Sequence, residues 1–232
     1  MIPKHAASHL ANQEIFWYGT DSEKVYQQNL IKNRSLLEQY RWVDRPIRYK
    51  FNQQGFRADE FDSADPGVVF IGCSHTVGVG LPFESTWPYL ISRELKLQNY
   101  NLAVGGSSND TAFRLAYHCI PILKPSLVVF LSTERTRSEL YLDTDHIYDL
   151  SVWPIGFPMV DRFAKTWISN DVNSTMNYLK NTMAIKQLCG ELNIKYVHEE
   201  TKSIRAIDKA RDLQHYGEQT NLDIAAMFLS KI

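Results

Sequence analysis

The stretch VVFIGCSHTVGVG, residues 68–80, runs five apolar or small residues straight into Cys73, Ser74 and His75 and closes on two glycines. A strand buried on both faces reads as such a short continuous apolar run, and open α/β sheets place their ligands beyond the carboxyl ends of these strands. The three polar side chains therefore stand where chemistry is expected. Working outward, further strands are predicted at NYNLAV, SLVVFL and IKYVH. Helical stretches are predicted at about residues 84–97, 109–120 and 173–192 and from Glu218 onward. This alternation implies parallel βαβ units, and so a three-layer α/β/α sandwich with a mostly parallel sheet and the first strand central. An aromatic segment, residues 133–170, interrupts the alternation.

The first sixty or so residues read differently. They are rich in Gln, Asn, Arg and Tyr, with a helix predicted at about residues 21–40, an extended piece RYKFN, and a turn at the glycine of QQGFR. The expected organisation is an amino-terminal extension, residues 1–62, packed on a main domain of residues 63–232.

Composition narrows the function classes. The 232 residues suffice for one domain with a substantial core. Lys and Arg number 25 against 26 Asp and Glu, which argues against a nucleic-acid partner. No apolar run reaches membrane-spanning length, so no membrane partner is expected. The start, MIPKHAASHLANQEIFWYG, lacks the apolar core of a secretory signal, which predicts a cytoplasmic protein. Cys73, Cys119 and Cys189 sit in apolar surroundings without CxxC spacing and read as packing residues.

A serine at the turn after a buried strand exposes its hydroxyl at the sheet edge, where backbone N–H groups can face an oxyanion. Alone it is more often a turn or helix-cap residue. His75 is a poor base for it, because neighbouring side chains point apart. The better base lies in ARDLQHYG, where Asp212 and His215 are three residues apart. On a helical turn both would share one face, so the carboxylate could hold the imidazole Nδ1–H and aim Nε2 at a nucleophile. Alone that pair reads more often as a surface pair near a helix start.

Together, GCSHT after the first strand, NLAVGGSSND after the second and ARDLQHYG before the last helix resemble the SGNH (GDSL-type) hydrolases over residues 66–232. The resemblance implies a flavodoxin-like fold and esterase, lipase or carbohydrate deacetylase activity. It makes Ser74 the nucleophile, Asp212 and His215 its triad partners, and Gly106 an N–H donor to the oxyanion alongside that of Ser74. IRYKFNQQGFRADEF followed by GCSHT also resembles bacteriophage-encoded and related microbial members, for which a virion or host-cell setting would follow.

One position departs from that pattern. After the third strand the family carries a glycine, a threonine and an asparagine whose amide donates to the oxyanion, whereas LSTERTR places Ser132, Thr133 and Glu134 there. An ionised glutamate only accepts hydrogen bonds and would repel an oxyanion. Substitutes for the lost donor are the Thr133 hydroxyl, the Asn109 amide, or Arg135 or Arg137 folding inward. Glu134 itself either points into the oxyanion site or pairs with Arg57, Arg135 or Arg137.

The expected function is thus a serine esterase acting on a short acyl ester, with O-acetyl groups on a glycan preferred and no metal or organic cofactor. The alternative is a catalytically weakened domain of the same type that binds a glycan or a protein, as in a virion. Gly78 and Gly80 lack the third glycine of a dinucleotide fingerprint. Asp143, Asp145 and Asp149 miss the glycine and glutamate of a calcium loop and read as a solvated face. Tyr141 and Trp153, in the aromatic segment, support two readings equally: walls for an acyl or sugar group, or a small core of the insert.

Overall fold

The structure, a computed structural model, describes residues 3–61, 66–142 and 147–232. Along the chain the elements are β1 (Glu14–Ile15), α1 (Glu23–Lys32), α2 (Arg34–Gln39), β2 (Tyr49–Lys50), β3 (Gly67–Ile71), α3 (Ser74–Val77), α4 (Trp87–Leu95) and β4 (Gln98–Asn101). There follow α5 (Asn109–Leu123), β5 (Leu127–Ser132), β6 (Ser138–Tyr141), β7 (Ile147–Leu150), α6 (Pro158–Ile168), α7 (Asp171–Glu191), β8 (Lys195–Glu200) and α8 (Glu218–Leu229). Four strands form one parallel sheet in the order β4-β3-β5-β8, so β3, the strand that leads to Ser74, is an inner one, as expected.

The period of a strand sorts its side chains onto two faces. Val69, Ile71, Val128 and Phe130 pack with Leu115 and Cys119 of α5 and Ile185 of α7. Val68, Phe70, Val129 and Leu131 turn the other way onto Trp87 and Ile91 of α4 and Ile224 and Phe228 of α8. Both faces are covered, which is why every residue of β3 and β5 is buried and the sequence shows no polar alternation there.

The amino-terminal segment shares the first of these cores. Leu37, Trp42, Ile47, Tyr49 and Phe56 belong to the same apolar cluster as Val69 and Phe130. The helix expected at residues 21–40 is divided at Asn33, whose φ of −135° with ψ of 28° lies off the helical path while its side-chain amide donates to Asn29 Oδ1. The segment 133–170 is also more regular than its sequence suggested: β6 and β7 pair antiparallel, and α6 follows. Val160 and Ala164 of α6 pack under Leu150, so this insert has a small core of its own. Among the described residues, no helix is long and apolar enough to cross a membrane.

Candidate active site

Ser74 is the first residue of α3, immediately beyond the carboxyl end of β3. Its position as the first helical residue leaves its N–H without an intrahelical acceptor. The loop after α3 is drawn against the segment that carries the histidine: Gly80 accepts from the Arg211 N–H at 3.1 Å and donates its own N–H to the Tyr49 hydroxyl at 2.8 Å. Gly80 has φ +78°, and a Cβ there would lie 2.8 Å from the Ala210 Cβ, so only glycine permits this approach.

That approach delivers His215 to the serine. The Ser74 hydroxyl and His215 Nε2 are 2.7 Å apart, and His215 Nδ1 is 2.6 Å from Asp212 Oδ2. The turn that joins them is not helical, contrary to the sequence expectation. Leu213 adopts φ +58°, and Asp212 Oδ1 folds back to accept the N–H groups of Gln214 at 2.9 Å and His215 at 3.0 Å. The carboxylate thus builds the turn and orients the ring with its two oxygens separately. Burial pushes the Asp212 carboxyl up, but the hydrogen bonds and charge of His215, with a further bond from Thr20, hold it down at about 2.

His75 is not placed to act on the serine in this arrangement. Its ring stacks on Tyr216 at 3.9 Å and lies 4.7 Å from that of His215. Burial, then the neighbouring His215 and Arg137, lower its pKa to about 3, so a neutral imidazole packs beside His215. Cys73 is buried, as are Cys119 and Cys189, and all three are free thiols.

Among the described residues, neither the Ser74 N–H nor the Gly106 N–H has a hydrogen-bond acceptor. Gly106, at φ +78° with open space around it, presents its backbone at the exposed turn after β4. The Asn109 amide, expected as a substitute donor, pairs with the backbone of Thr133: Nδ2 donates to the Thr133 carbonyl at 3.2 Å while Oδ1 accepts the Thr133 N–H at 3.1 Å. It ties the start of α5 to the end of β5. Thr133 itself is buried.

The charged residues after β5 divide. Arg135 pairs with Glu200, and Arg57 is buried beneath the loop after α3, donating to the carbonyls of Gly78 and Leu81. Arg137 lies over the Trp153 ring and donates to the Ser107 carbonyl at 3.4 Å, which puts it beside the turn that carries Gly106. Glu134 is exposed, and no ion pair joins it to any of these arginines among the described residues. It is near enough to Tyr216 to raise that phenol's pKa, after burial and Cys73.

Tyr141 and Trp153 part company. Trp153 is 62% exposed beside Arg137. The Tyr141 hydroxyl donates to Glu139, and its ring lines a separate cleft with Phe113, Arg114, Phe163 and Trp167. Asp143 and Asp145 lie outside the described residues, while Asp149 accepts from the Thr111 hydroxyl within a polar cluster under β6. No group of metal-ligating side chains occurs among the described residues.

Thr20 escaped the sequence reading. Its hydroxyl donates to Asp212 Oδ2 at 2.6 Å, across 192 residues of chain. A lone threonine in YGTDSE carries no local signal of such a role.

No known family and no curated protein matches the sequence. Among solved structures the chain is similar to a carbohydrate esterase at 13% identity and a TM-score of 0.40, over 72% of this chain and 64% of that one, so it spans less than two thirds of that relative. It is similar to a protein of the G-D-S-L lipolytic family from Desulfitobacterium hafniense DCB-2 at 12% identity and 0.39, over 72% and 99%. A psychrotrophic esterase from Pseudoalteromonas sp. stands at 13% and 0.36, over 72% and 96%.

Proposed function

We propose that this chain is a serine esterase of the SGNH type that hydrolyses a short acyl ester, with O-acetyl groups on a glycan as the preferred substrate class. The observation that supports it is the unbroken relay Ser74 Oγ, His215 Nε2, His215 Nδ1, Asp212 Oδ2, with both links under 3 Å. In this reading His215 takes the Ser74 proton as Oγ bonds to the ester carbonyl carbon. The oxygen that becomes negative is received by the N–H groups of Ser74 and Gly106, with the Thr133 hydroxyl as the third donor. His215, now an imidazolium held by Asp212, protonates the leaving alcohol. A water then gives its proton to His215 and attacks the acyl-serine, which releases the acid and restores the hydroxyl. The exposed Trp153 ring offers a face on which a sugar stacks.

Fluorophosphonate labelling of the purified protein, followed by acetate release from an O-acetylated glycan, tests this reading. Covalent capture that disappears in Ser74→Ala is the expected result. Capture that persists in that variant would move the nucleophile elsewhere, and an unlabelled parent that still binds the glycan would make the domain a binding module.

A further inference from the structure

The amino-terminal segment reaches the relay at one atom. Tyr18 and Asp21 exchange backbone hydrogen bonds of 2.9 and 3.1 Å, closing a two-residue turn over Gly19 and Thr20. Gly19 takes φ +60°, which such turns favour. Each side of the turn is anchored: Tyr18 accepts the Gly105 N–H at 3.4 Å, and Asp21 is held by Arg211 and Tyr49. Thr20 is thereby presented at the tip of a fixed turn, exposed except where its hydroxyl meets Asp212.

The Asp212 carboxylate has four acceptor positions, and all are used. Oδ1 takes two N–H groups of its own turn, and Oδ2 takes His215 Nδ1 and Thr20 Oγ1, both at 2.6 Å. Among the described residues Thr20 is the only side chain from outside the turn that donates to this carboxylate. Its oxygen also lies 3.4 Å from His215 Nδ1, so once its own proton goes to Asp212 its lone pair faces the imidazole N–H. Asn29 supports the same residue from behind, donating to the Asp212 carbonyl at 3.3 Å.

We infer that Thr20 is a positioning residue of the hydrolytic site: it fixes the rotation of the Asp212 carboxylate and, through it, the direction of His215 Nε2. This rests on the esterase reading above. Without the hydroxyl, Oδ2 loses one of two donors, becomes more basic, and holds an imidazolium more strongly. The acid limb of the rate profile should then move to higher pH, and turnover should fall because the ring is less well aimed. A hydrogen bond to a charged group of this exposure corresponds to roughly tenfold. The other titratable or charged groups around the imidazole are His75 and Tyr216 beside it, with Arg137, Lys209 and Glu134 farther out. A change at Thr20 leaves all of them in place.

The test compares the whole protein with Thr20→Val and Thr20→Ser. Because Thr20 is otherwise exposed, neither change disturbs packing. The readouts are kcat and KM for p-nitrophenyl acetate across pH, the rate of fluorophosphonate labelling, and the titration of the His215 ring followed by NMR. The expected result is kcat about tenfold lower in Thr20→Val with KM little changed, an acid limb moved upward, and recovery in Thr20→Ser. Parent-like kcat and acid limb in Thr20→Val overturn the inference, as does a Thr20→Ser protein no better than Thr20→Val. Should the parent neither turn over the ester nor take the label, the esterase reading fails by itself. The His215 titration then decides on Thr20 alone, an upward move in Thr20→Val supporting the inference and an unchanged titration overturning it.

Discussion

Replacing Asp21 tests whether the amino-terminal segment is locked to the loop that bears His215. Asp21 and Arg211 form a buried ion pair, with side chains 1% and 4% exposed. The guanidinium grips the carboxylate at both ends, Nε to Oδ1 at 2.9 Å and Nη2 to Oδ2 at 2.7 Å, and the Tyr49 hydroxyl donates to Oδ2 at 2.5 Å. Among the described residues, the Arg211 side chain otherwise meets only the carbonyls of Phe16 and Arg45 and the faces of Trp17 and Tyr26. Asp21→Asn keeps the volume but strands the buried cation without a counter-charge, a loss of about 3–5 kcal/mol. For a chain of 232 residues each kcal/mol moves the melting temperature by roughly 2–4 °C, so a fall of about 6–20 °C is expected. Urea unfolding measures the free energy directly, and the slope of that transition shows whether the unfolded state has changed. Pairing Asp21→Leu with Arg211→Met should return much of the loss, since two apolar side chains leave no buried charge behind. A cost below about 1 kcal/mol for Asp21→Asn would refute the reasoning, because it would mean that water or another carboxylate neutralises Arg211.

Asn109→Ala is expected to lower stability by about 1–3 kcal/mol, since it strands both backbone groups of Thr133, while leaving kcat within a few-fold; intact stability with a hundredfold loss of kcat would instead make the amide an oxyanion donor. Glu134→Asn should leave turnover of a neutral ester within about twofold, because an exposed side chain outside the relay neither blocks nor supplies a donor, and a tenfold gain would place the carboxylate in the oxyanion site. Burial, then Glu139, raises the Asp149 carboxyl from 3.8 to about 6. The folded protein therefore holds a proton there that the unfolded chain releases, so the stability this group contributes is complete below 3.8 and is lost as pH rises through about 6. Thermal melts across that window should show a fall in the parent that Asp149→Asn lacks, and equal slopes in the two proteins would count against it.

What the sequence revealed about the site was what lies close together in it. Ser74 follows directly on the apolar run of β3, and Asp212 and His215 are near enough that one turn joins them, although the turn proved to rest on Leu213 in a left-handed conformation rather than on a helix. The insert was misjudged for a different reason. Val160, Phe163, Ala164 and Trp167 already carry helical spacing, but the density of aromatic and loop-forming residues around them obscured it. Thr20 and Asp21 were illegible in principle, because their partners are near the other end of the chain and no spacing rule spans that distance. Asn109 looked like a spare donor for a related reason: its carbonyl and one N–H of its amide are taken by Thr133, which only the closure of β5 beside α5 brings within reach.

The long-range character of the Thr20 and Ser74 contacts also bears on how this chain comes to life. Synthesis runs from the amino terminus, so the serine emerges 141 residues before the histidine that it faces, and Thr20 waits for 192 residues to meet Asp212. Contacts of such separation form late, because the intervening chain must be ordered before they repay the entropy of closure. On the esterase reading, the β3 and β5 pairing can be in place on a nascent chain whose Ser74 still lacks His215. Reactivity toward a serine-directed probe would then mark the joining of the first and last folded parts of the protein, a clock for the end of folding and not for its beginning.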